Sequence, residues 1–564
     1  MALSKRTFQS AGQLSQHVIP GAYSRIDSVK GQGGLVSANN GVIMGQSTGG
    51  QPTTLLQFNS IAEAVNTLKS GPLMEAVRLA FNPGNDLIPQ RLFAVRVNSA
   101  TKSLKHLVNG ANNMLLVESR DWGLSQNQIT IVVAAGTTSG KKITIGYKTN
   151  SEIFDNVIRN SIQITHATAT VTITNNSSTH TMVLSVGTIN IDLNVYKTIG
   201  DLAAYINNQA GYAAVVQAGQ ENASSLELDG VSAQSLTGGY MCQSTLEAMA
   251  DTLTESSLYV TGTVENGAIN RAIPDNSALS YLTGGGEGTY TSTEWTNSLL
   301  MLEAEDIQFV STPDSSTTVH AALKTHCELM SSVSGRKERQ FLVGSAWGTV
   351  VATAKTNAGT LNSKWGLQAY NGFTQRNIDG DIQNYDASYA ACLLMGMKVA
   401  SAINGPLTFK ELNVITLEDK LTNAELEDLI INGVCPINWN AQGRPVCVRQ
   451  VNTYQTDDLK WNEFSMVTEM GYSSRDLRTY LESLFVGKAG SGFFGGVIRG
   501  AVEAKLAQYT DLGIFTKDSS GVAWWNVQIS IAGDTVTIDF DAYLTAPINF
   551  IFITNHFHEL VSVA

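Results

Sequence analysis

Two glycine-rich stretches have a composition that could bind a phosphate. Glycines let backbone N–H groups approach an anion at the start of a helix, and LTGGGEGTY at 282–290 has this composition. No Lys-Ser or Lys-Thr follows it, and Glu287 would repel a phosphate. The second stretch, GTTSGKK at 136–142, has three residues between its glycines where a P-loop has four, and Lys142 where a P-loop has Ser or Thr. We therefore predict that neither stretch binds a nucleotide and that 282–290 is a structural turn.

The remaining candidates for chemistry are isolated histidines and one serine. His556 and His558 could share a strand face as metal ligands, but no Cys or His cluster lies nearby in the sequence, which favours a solvated chain end. His320 and His326 are six residues apart on a predicted helix and do not share a face closely. GSAWG at 344–348 places its serine one residue away from a nucleophile elbow. The sequence predicts no catalytic residues, no cofactor, no metal site and no enzymatic activity.

Length and composition indicate a large globular protein. The 564 residues favour several domains, and 43% hydrophobic with 15% charged residues is typical of packed cores. Five cysteines stand far apart, which favours buried free thiols made in a reducing cytosol. No apolar run follows Lys5 and Arg6, so we expect no secretory signal, and no stretch is apolar enough to predict membrane insertion.

The charge distribution limits the partners. A net charge of −12 argues against a nucleic-acid surface. Residues 1–30 hold four Lys and Arg against Asp27, a net of +3, whereas 451–564 hold seven Lys and Arg against 13 Asp and Glu, a net of −6. Opposite charges favour docking of an N-terminal arm on the C-terminal domain of the same or another copy, although two independently solvated surfaces would fit equally.

The amino-acid composition and the predicted secondary structure of the chain change near residue 110. GVIMG at 41–45 and RLFAVRV at 91–97 predict apolar strands, with a helix between them capped by Ser60 and Glu63, as in an α/β domain. From 110 to 272, Ser, Thr and Asn crowd alternating strands, and NNSS at 175–178 predicts a hairpin turn. We interpret this segment as an inserted β-rich domain.

From residue 280 the α/β pattern resumes. Helices capped by Thr291 with Glu294 and by Thr422 with Glu425 alternate with apolar strands, which predicts a largely parallel sheet. The end of the chain predicts two helices, RDLRTYLESLF and GVIRGAVEAKLAQY, and then three strands, WWNVQISI, TVTIDF and INFIFIT. The last strand is apolar on both faces, so its surface must be covered from within or outside the chain.

Several of these stretches together resemble the contractile tail sheath family of bacteriophages and related injection machines. HVIPGAYSRID at 17–27 is similar to the family's N-terminal Pro-Gly-Val-Tyr stretch, and LTGGGEGTYTSTEW to its Gly-Gly-x-Asp-Gly loop with Glu287 in place of Asp. The run from VNTYQTDDLKWNE to INFIFIT resembles the family's C-terminal domain in order and spacing. The β-rich segment has no counterpart, and such insertions are the family's variable outer domains.

The expected fold is therefore α/β and α+β, multidomain, with a mixed-sheet sheath core, an inserted β-rich domain and extended N- and C-terminal arms. The expected parts are an extended N-terminal arm (1–25), the first part of the core (26–109), the inserted β-rich outer domain (110–272), an α/β sheath domain (273–450), and a C-terminal α+β domain whose terminal strand joins an inter-subunit sheet (451–564).

The resemblance also implies a mechanical function. It implies a homo-oligomer of stacked hexameric rings that surrounds an inner tail tube, contacts baseplate and tail terminator proteins, and contracts to drive the tube through the host envelope. Such a protein is assembled in the host cytoplasm and belongs to the virion tail. The arms would meet neighbouring subunits through Val18, Ile19, Tyr23, Ile548, Phe550, Ile551, Phe552 and Ile553. The alternative is a self-assembling surface-layer or fibre protein, which would normally carry a secretion signal.

Overall fold

The computed structural model describes residues 6–10, 13–17, 39–265, 267, 269–456, 458–488 and 494–558. The chain divides into two compact units, which we call the main unit (39–468 and 546–558) and the C-terminal unit (469–545 with the described residues before 39). The N-terminal backbone forms an antiparallel hairpin of β1 (Arg6–Ser10) and β2 (Gln13–His17). This hairpin is the described part of the segment that the sequence predicts as an N-terminal arm (1–25), and that prediction stays untested. Its two strands satisfy each other's backbone groups.

The first α/β elements agree with the sequence pattern. They are β3 (Gly41–Gly45), β4 (Leu55–Phe58), α1 (Ile61–Leu68), α2 (Pro72–Ala80) and β5 (Leu92–Arg96). The Ser60 hydroxyl accepts a hydrogen bond from Glu63 N–H, as predicted. The Glu63 carboxylate accepts from Asn59 N–H, one residue before the expected donor.

The β-rich part follows directly. Its elements are β6 (Lys102–Asn109), β7 (Asn112–Trp122), β8 (Thr130–Ala135), β9 (Lys141–Tyr147), β10 (Asn150–Val157), β11 (Asn160–Thr165), β12 (Thr170–Asn175), β13 (His180–Leu184), β14 (Ile189–Asp192), α3 (Ile199–Asn207), β15 (Ala213–Val216), β16 (Val231–Ser235), β17 (Tyr240–Gln243), α4 (Thr245–Ser256), β18 (Val260–Val264) and β19 (Ser277–Tyr281). The predicted hairpin is confirmed, since β12 pairs with β13 from Asn175 and His180 onward.

Two separate hydrophobic cores hold this β-rich part. One lies within residues 160–243, which we call the 160–243 lobe, and buries Ile164, Ile173 and Leu202. The other packs β7 and β8 against α4. The lobe begins and ends at adjacent points, because Asn160 on β11 is the strand partner of Gln243 on β17.

The second α/β stretch completes the main unit. Its elements are α5 (Ser292–Leu302), β20 (Phe309–Ser311), α6 (Thr317–Met330), β21 (Gln340–Gly344), α7 (Val351–Leu361), β22 (Gly366–Tyr370), β23 (Phe373–Arg376), β24 (Ile382–Tyr385), α8 (Ala387–Ala400), β25 (Thr416–Leu417), α9 (Asn423–Ile431), β26 (Cys435–Trp439) and β27 (Pro445–Cys447). Both predicted capping boxes, Thr291 with Glu294 and Thr422 with Glu425, are confirmed.

An eight-stranded sheet forms the centre of the main unit, in the order β27-β26-β22-β21-β20-β3-β5-β4. Its pairs are parallel from β26 to β5, and β27 and β4 add antiparallel at the two ends. Helices cover both faces. Ile43 packs in the core that includes α1, α2 and α8, whereas Val42 and Met44 pack in the core that includes α5 and α6. The prediction of a largely parallel sheet is confirmed.

The last elements are α10 (Leu459–Asn462), α11 (Phe464–Phe485), α12 (Phe494–Asp511), β28 (Trp524–Ala532) and β29 (Thr535–Ala542). The sequence placed the start of α11 near Arg475. The helix begins earlier because Phe464 and Val467 are buried. In the part of the chain that the structure describes, no helix is both long and apolar enough to cross a bilayer.

Candidate assembly surface

The end of the chain exposes a run of large apolar side chains. Residues 545–558 form neither helix nor strand, so the sequence prediction of a strand over INFIFIT is wrong for the single chain. Phe552 is 93% exposed and Ile548 84%, and the others are also mostly exposed: Phe550, Ile551 and Ile553. The rings of Phe550 and Phe552 stack with centroids 6.3 Å apart. Contiguous apolar surface of this kind marks an interaction site.

One buried carboxylate holds the start of this apolar run. Asn549 Nδ2 donates to Glu463 Oε1 at 2.9 Å, and Arg449 Nε donates to the same oxygen at 2.8 Å. The Arg449 guanidinium also lies 5.7 Å from the centroid of the Phe550 ring. Glu463 is fully buried, and its other oxygen has no hydrogen-bond partner among the described residues. The run is thus attached at Asn549 and Phe550, while the side chains beyond them project into solvent.

The C-terminal unit contains a hairpin with room for further strands. β28 and β29 pair from Trp524 with Ala542 to Ala532 with Thr535, and among the described residues they form a sheet of only two strands. Ile531 and Val536 are each about half exposed, at 46% and 40%. A two-stranded sheet is marginal alone, and its free edges can accept strands from another chain.

The predicted contacts of the N-terminal arm cannot be placed on these surfaces. Val18, Ile19 and Tyr23 lie outside the described residues. Of the predicted assembly residues, the structure therefore places only the C-terminal group, at 548 and 550–553, and shows them together on one exposed segment.

The Gly-rich loop at 282–290 is held by contacts with residues that are distant in the sequence. Arg96, fully buried at the end of β5, donates to Glu287 Oε2 at 2.5 Å and to Gly50 O at 3.0 Å. Burial lowers the pKa of Arg96, and Glu287 opposes that shift. Glu287 Oε1 accepts from Leu124 N–H at 2.9 Å. The residue that would repel a phosphate therefore pairs with a buried arginine. The loop itself forms two isolated bridges, Leu104 with Thr283 and Thr101 with Gly286.

The other candidates for chemistry also have structural surroundings. The turn at 136–140 directs N–H groups of Thr137 and Ser139 to the side chains of Asp155 and Asn156. His326 accepts from Arg339 Nη1 at 2.8 Å, and burial together with that charge lowers its pKa to about 4.

The remaining candidates are two histidines near the C-terminus and the thiols. His556 and His558 are exposed. No group of three or more metal-binding side chains occurs among the described residues. Burial raises the pKa of Cys242, Cys327 and Cys392 to about 12, which suppresses their thiolates.

Comparison with known proteins finds relatives among the tail sheath proteins of phages. No protein-family model matches the sequence. The tail sheath protein of Bacillus phage SP01 is 24% identical over 591 aligned residues, which span 99% of this chain and 98% of that protein. The putative tail sheath protein of Enterococcus phage phiEF24C is 25% identical over 492 residues, spanning 81% of this chain and 83% of that one. The chain is thus similar over most of its length to tail sheath proteins of phages. The crystal structure of the sheath tail protein of Desulfitobacterium hafniense covers 93% of this chain and 100% of that one with a TM-score of 0.53 at 12% identity, so the fold is shared.

The residues that attach the C-terminal segment were not predicted. Arg449 and Glu463 are 14 residues apart, and Asn549 follows 86 residues later. No local pattern connects them. The sequence offered one indication of this contact: Glu463 stands just before a helix, and the apolar end of the chain contains an amide, Asn549.

Proposed function

We propose that this protein is the structural subunit of a contractile phage tail sheath, which polymerises around an inner tail tube and contracts to drive the tube through the host cell envelope. The observation that carries the proposal is the exposed segment Ile548–Ile553, in a chain that also contains a hairpin, β28–β29, with only two strands among the described residues. A strand donor and a strand acceptor on the same chain allow each copy to join the next.

The proposed exchange places 548–553 of one subunit beside the β28–β29 hairpin of another. The hairpin gains the third strand that a stable sheet needs, and the donated segment buries side chains that are otherwise in water. The contact is heterologous, so it does not close on itself and extends into rings and helices. The attachment at Asn549 keeps the donor segment near its own core until it is exchanged.

The N-terminal arm, residues 1–25, takes the second position in this sheet. Val18 and Ile19 cover apolar surface, Tyr23 follows at the root of the arm, and Lys5 and Arg6 meet the acidic C-terminal domain of a neighbouring copy. The relative in Bacillus phage SP01, similar over almost its whole length, supports by its name a role in a tail sheath. The assembled state is a stack of hexameric rings whose other partners are the inner tube, the baseplate and the tail terminator proteins.

The remaining regions have proposed places in this assembly. Residues 26–109 and 273–450 form the sheath core, 451–564 the C-terminal domain, and 110–272 an outer domain that contributes little to assembly. The protein is non-enzymatic, and contraction proceeds without nucleotide or metal; the pairing of Glu287 with Arg96 in the Gly-rich loop supports this for the nucleotide. Sheath subunits are made in the host cytoplasm and become part of the virion tail.

Removal of residues 1–19 tests the strand-exchange part of the proposal. We expect a folded protein with the thermal unfolding midpoint of the full chain that no longer forms sedimentable tubes. Tubes from the truncated chain would remove the N-terminal arm from the mechanism. Failure of the truncated chain to fold would show that the arm belongs to its own subunit's core.

A further inference from the structure

Two of the five cysteines are in contact within the main unit. Cys435 on β26 and Cys447 on β27 are fully buried, and their sulfur atoms are 3.3 Å apart. No other pair of sulfur atoms among the described residues lies this close. Cys392 Sγ instead lies 3.3 Å from the Ser311 hydroxyl. Both strands belong to the end of the eight-stranded sheet, where β27 is the last strand and has three residues.

We propose that Cys435 and Cys447 form an intrachain disulfide when the protein meets hydrogen peroxide or a small organic hydroperoxide. One thiolate attacks the O–O bond, which gives a sulfenic acid and releases hydroxide or alkoxide. The second thiol then attacks the sulfenic sulfur, the S–S bond forms, and water leaves. Overall, two thiols are oxidised by two electrons, and one peroxide is reduced to two molecules of water, or to one of water and one of alcohol.

The geometry fits a cross-link between these strands. The sulfur atoms must approach from 3.3 Å to about 2.05 Å, a movement of roughly 1 Å that side-chain rotation and a small shift of a terminal strand can supply. Neighbouring Cys447 and burial both raise the pKa of Cys435, so the closed state holds little thiolate. Oxidation therefore follows local opening of β27, after which the second sulfur is at once available to complete the bond.

The cross-link has a physical consequence for a protein that leaves a reducing cytosol. It closes a loop between residues 435 and 447 and so restricts the unfolded chain. The five cysteines are free thiols in the folded protein, so the bond adds to a finished fold; its formation outside a reducing cytosol rests on the proposed function.

Thiol counting on the purified full chain tests the proposal. The folded protein is treated with dilute hydrogen peroxide, the excess is removed, and free thiols are titrated after denaturation. We expect the count to fall from five to three. A non-reducing peptide map by mass spectrometry should contain the peptides of Cys435 and Cys447 as one linked species, and the thermal unfolding midpoint should rise until a thiol reductant is added.

Two variants separate this pair from the other buried thiols. Cys447→Ala should keep four thiols before and after peroxide, whereas the control Cys392→Ala should fall from four to two. Five thiols remaining in the treated wild type, or a linked species that lacks Cys435 or Cys447, would overturn the proposal. The wild-type peptide map gives this answer even where Cys447→Ala does not fold.

Discussion

Charge placed on the C-terminal segment should block assembly and leave the single chain folded. Ile551 and Ile553 are 79% and 76% exposed, so Lys at both positions removes no packing from the subunit. In a sheet shared between subunits the same side chains would be covered. Burying one Ile is worth about 1.5–3 kcal/mol relative to leaving it exposed, so covering about three quarters of two is worth roughly 2–5 kcal/mol. Each 1.4 kcal/mol is about tenfold in an equilibrium constant.

We therefore expect the Ile551→Lys, Ile553→Lys protein to raise the critical concentration for polymerisation by roughly 30-fold or more. Sedimentation and light scattering across a concentration series measure this value, and thermal unfolding of the unassembled protein checks the fold. Ile431→Lys is the matched control, because Ile431 at the end of α9 is also 79% exposed. The reasoning fails if the double variant polymerises at the wild-type concentration, if the control is equally impaired, or if the double variant unfolds at lower temperature, which would place the segment in its own core.

Three further perturbations test other parts of the structure. Deletion of residues 161–242 with a short Gly/Ser linker should leave polymerisation intact, because this lobe has its own core and because Asn160 and Gln243 are strand partners. Loss of tubes from a folded deletion variant would contradict the outer position of the 160–243 lobe in the assembly. Burial raises the pKa of Asp229 from 3.8 to about 6, so its contribution to stability is present below pH 4 and is lost as the pH rises through 6. The free energy of unfolding of the wild type should therefore decline by about 2–3 kcal/mol more between pH 4 and pH 7 than that of Asp229→Asn. Urea unfolding of both proteins at the two pH values measures this difference, and equal pH dependence would refute it. Gly288→Ala should destabilise the loop by more than the control Gly284→Ala. Both glycines have a positive φ, but only at Gly288 would a Cβ lie 1.9 Å from a carbonyl oxygen, that of Ser99. Equal unfolding midpoints of the two variants would contradict this.

The sequence predicted those features whose causes are local. The caps at Thr291 and Thr422 depend on residues three positions apart, and the hairpin at 170–184 on alternation with a polar turn. The sheet order could not be predicted, because β3 lies beside β20 although some 270 residues separate them. The sequence analysis did not predict α7. It placed the start of α11 too late, because burial of residues such as Phe464 favours the helix over a segment that contains Gly and several Ser.

The composition of the sequence predicted which residues of the C-terminal segment form the candidate assembly surface, but not how they are arranged. An apolar run such as Ile548–Ile553 can be recognised as needing cover, whereas its state in the single chain depends on which partner strands are present. The Arg96–Glu287 pair and the attachment of Asn549 to Glu463 each join residues far apart in sequence. Such contacts follow from the completed fold and leave no periodic pattern.

Cryo-electron microscopy of tubes assembled from the purified protein tests the central claim most directly. We expect a helical lattice with an open central channel, in which residues 548–553 of one subunit continue as a strand along the β28–β29 hairpin of another. Discrete particles or flat lattices, or tubes in which this segment stays on its own subunit and the hairpin remains two-stranded, would contradict the account.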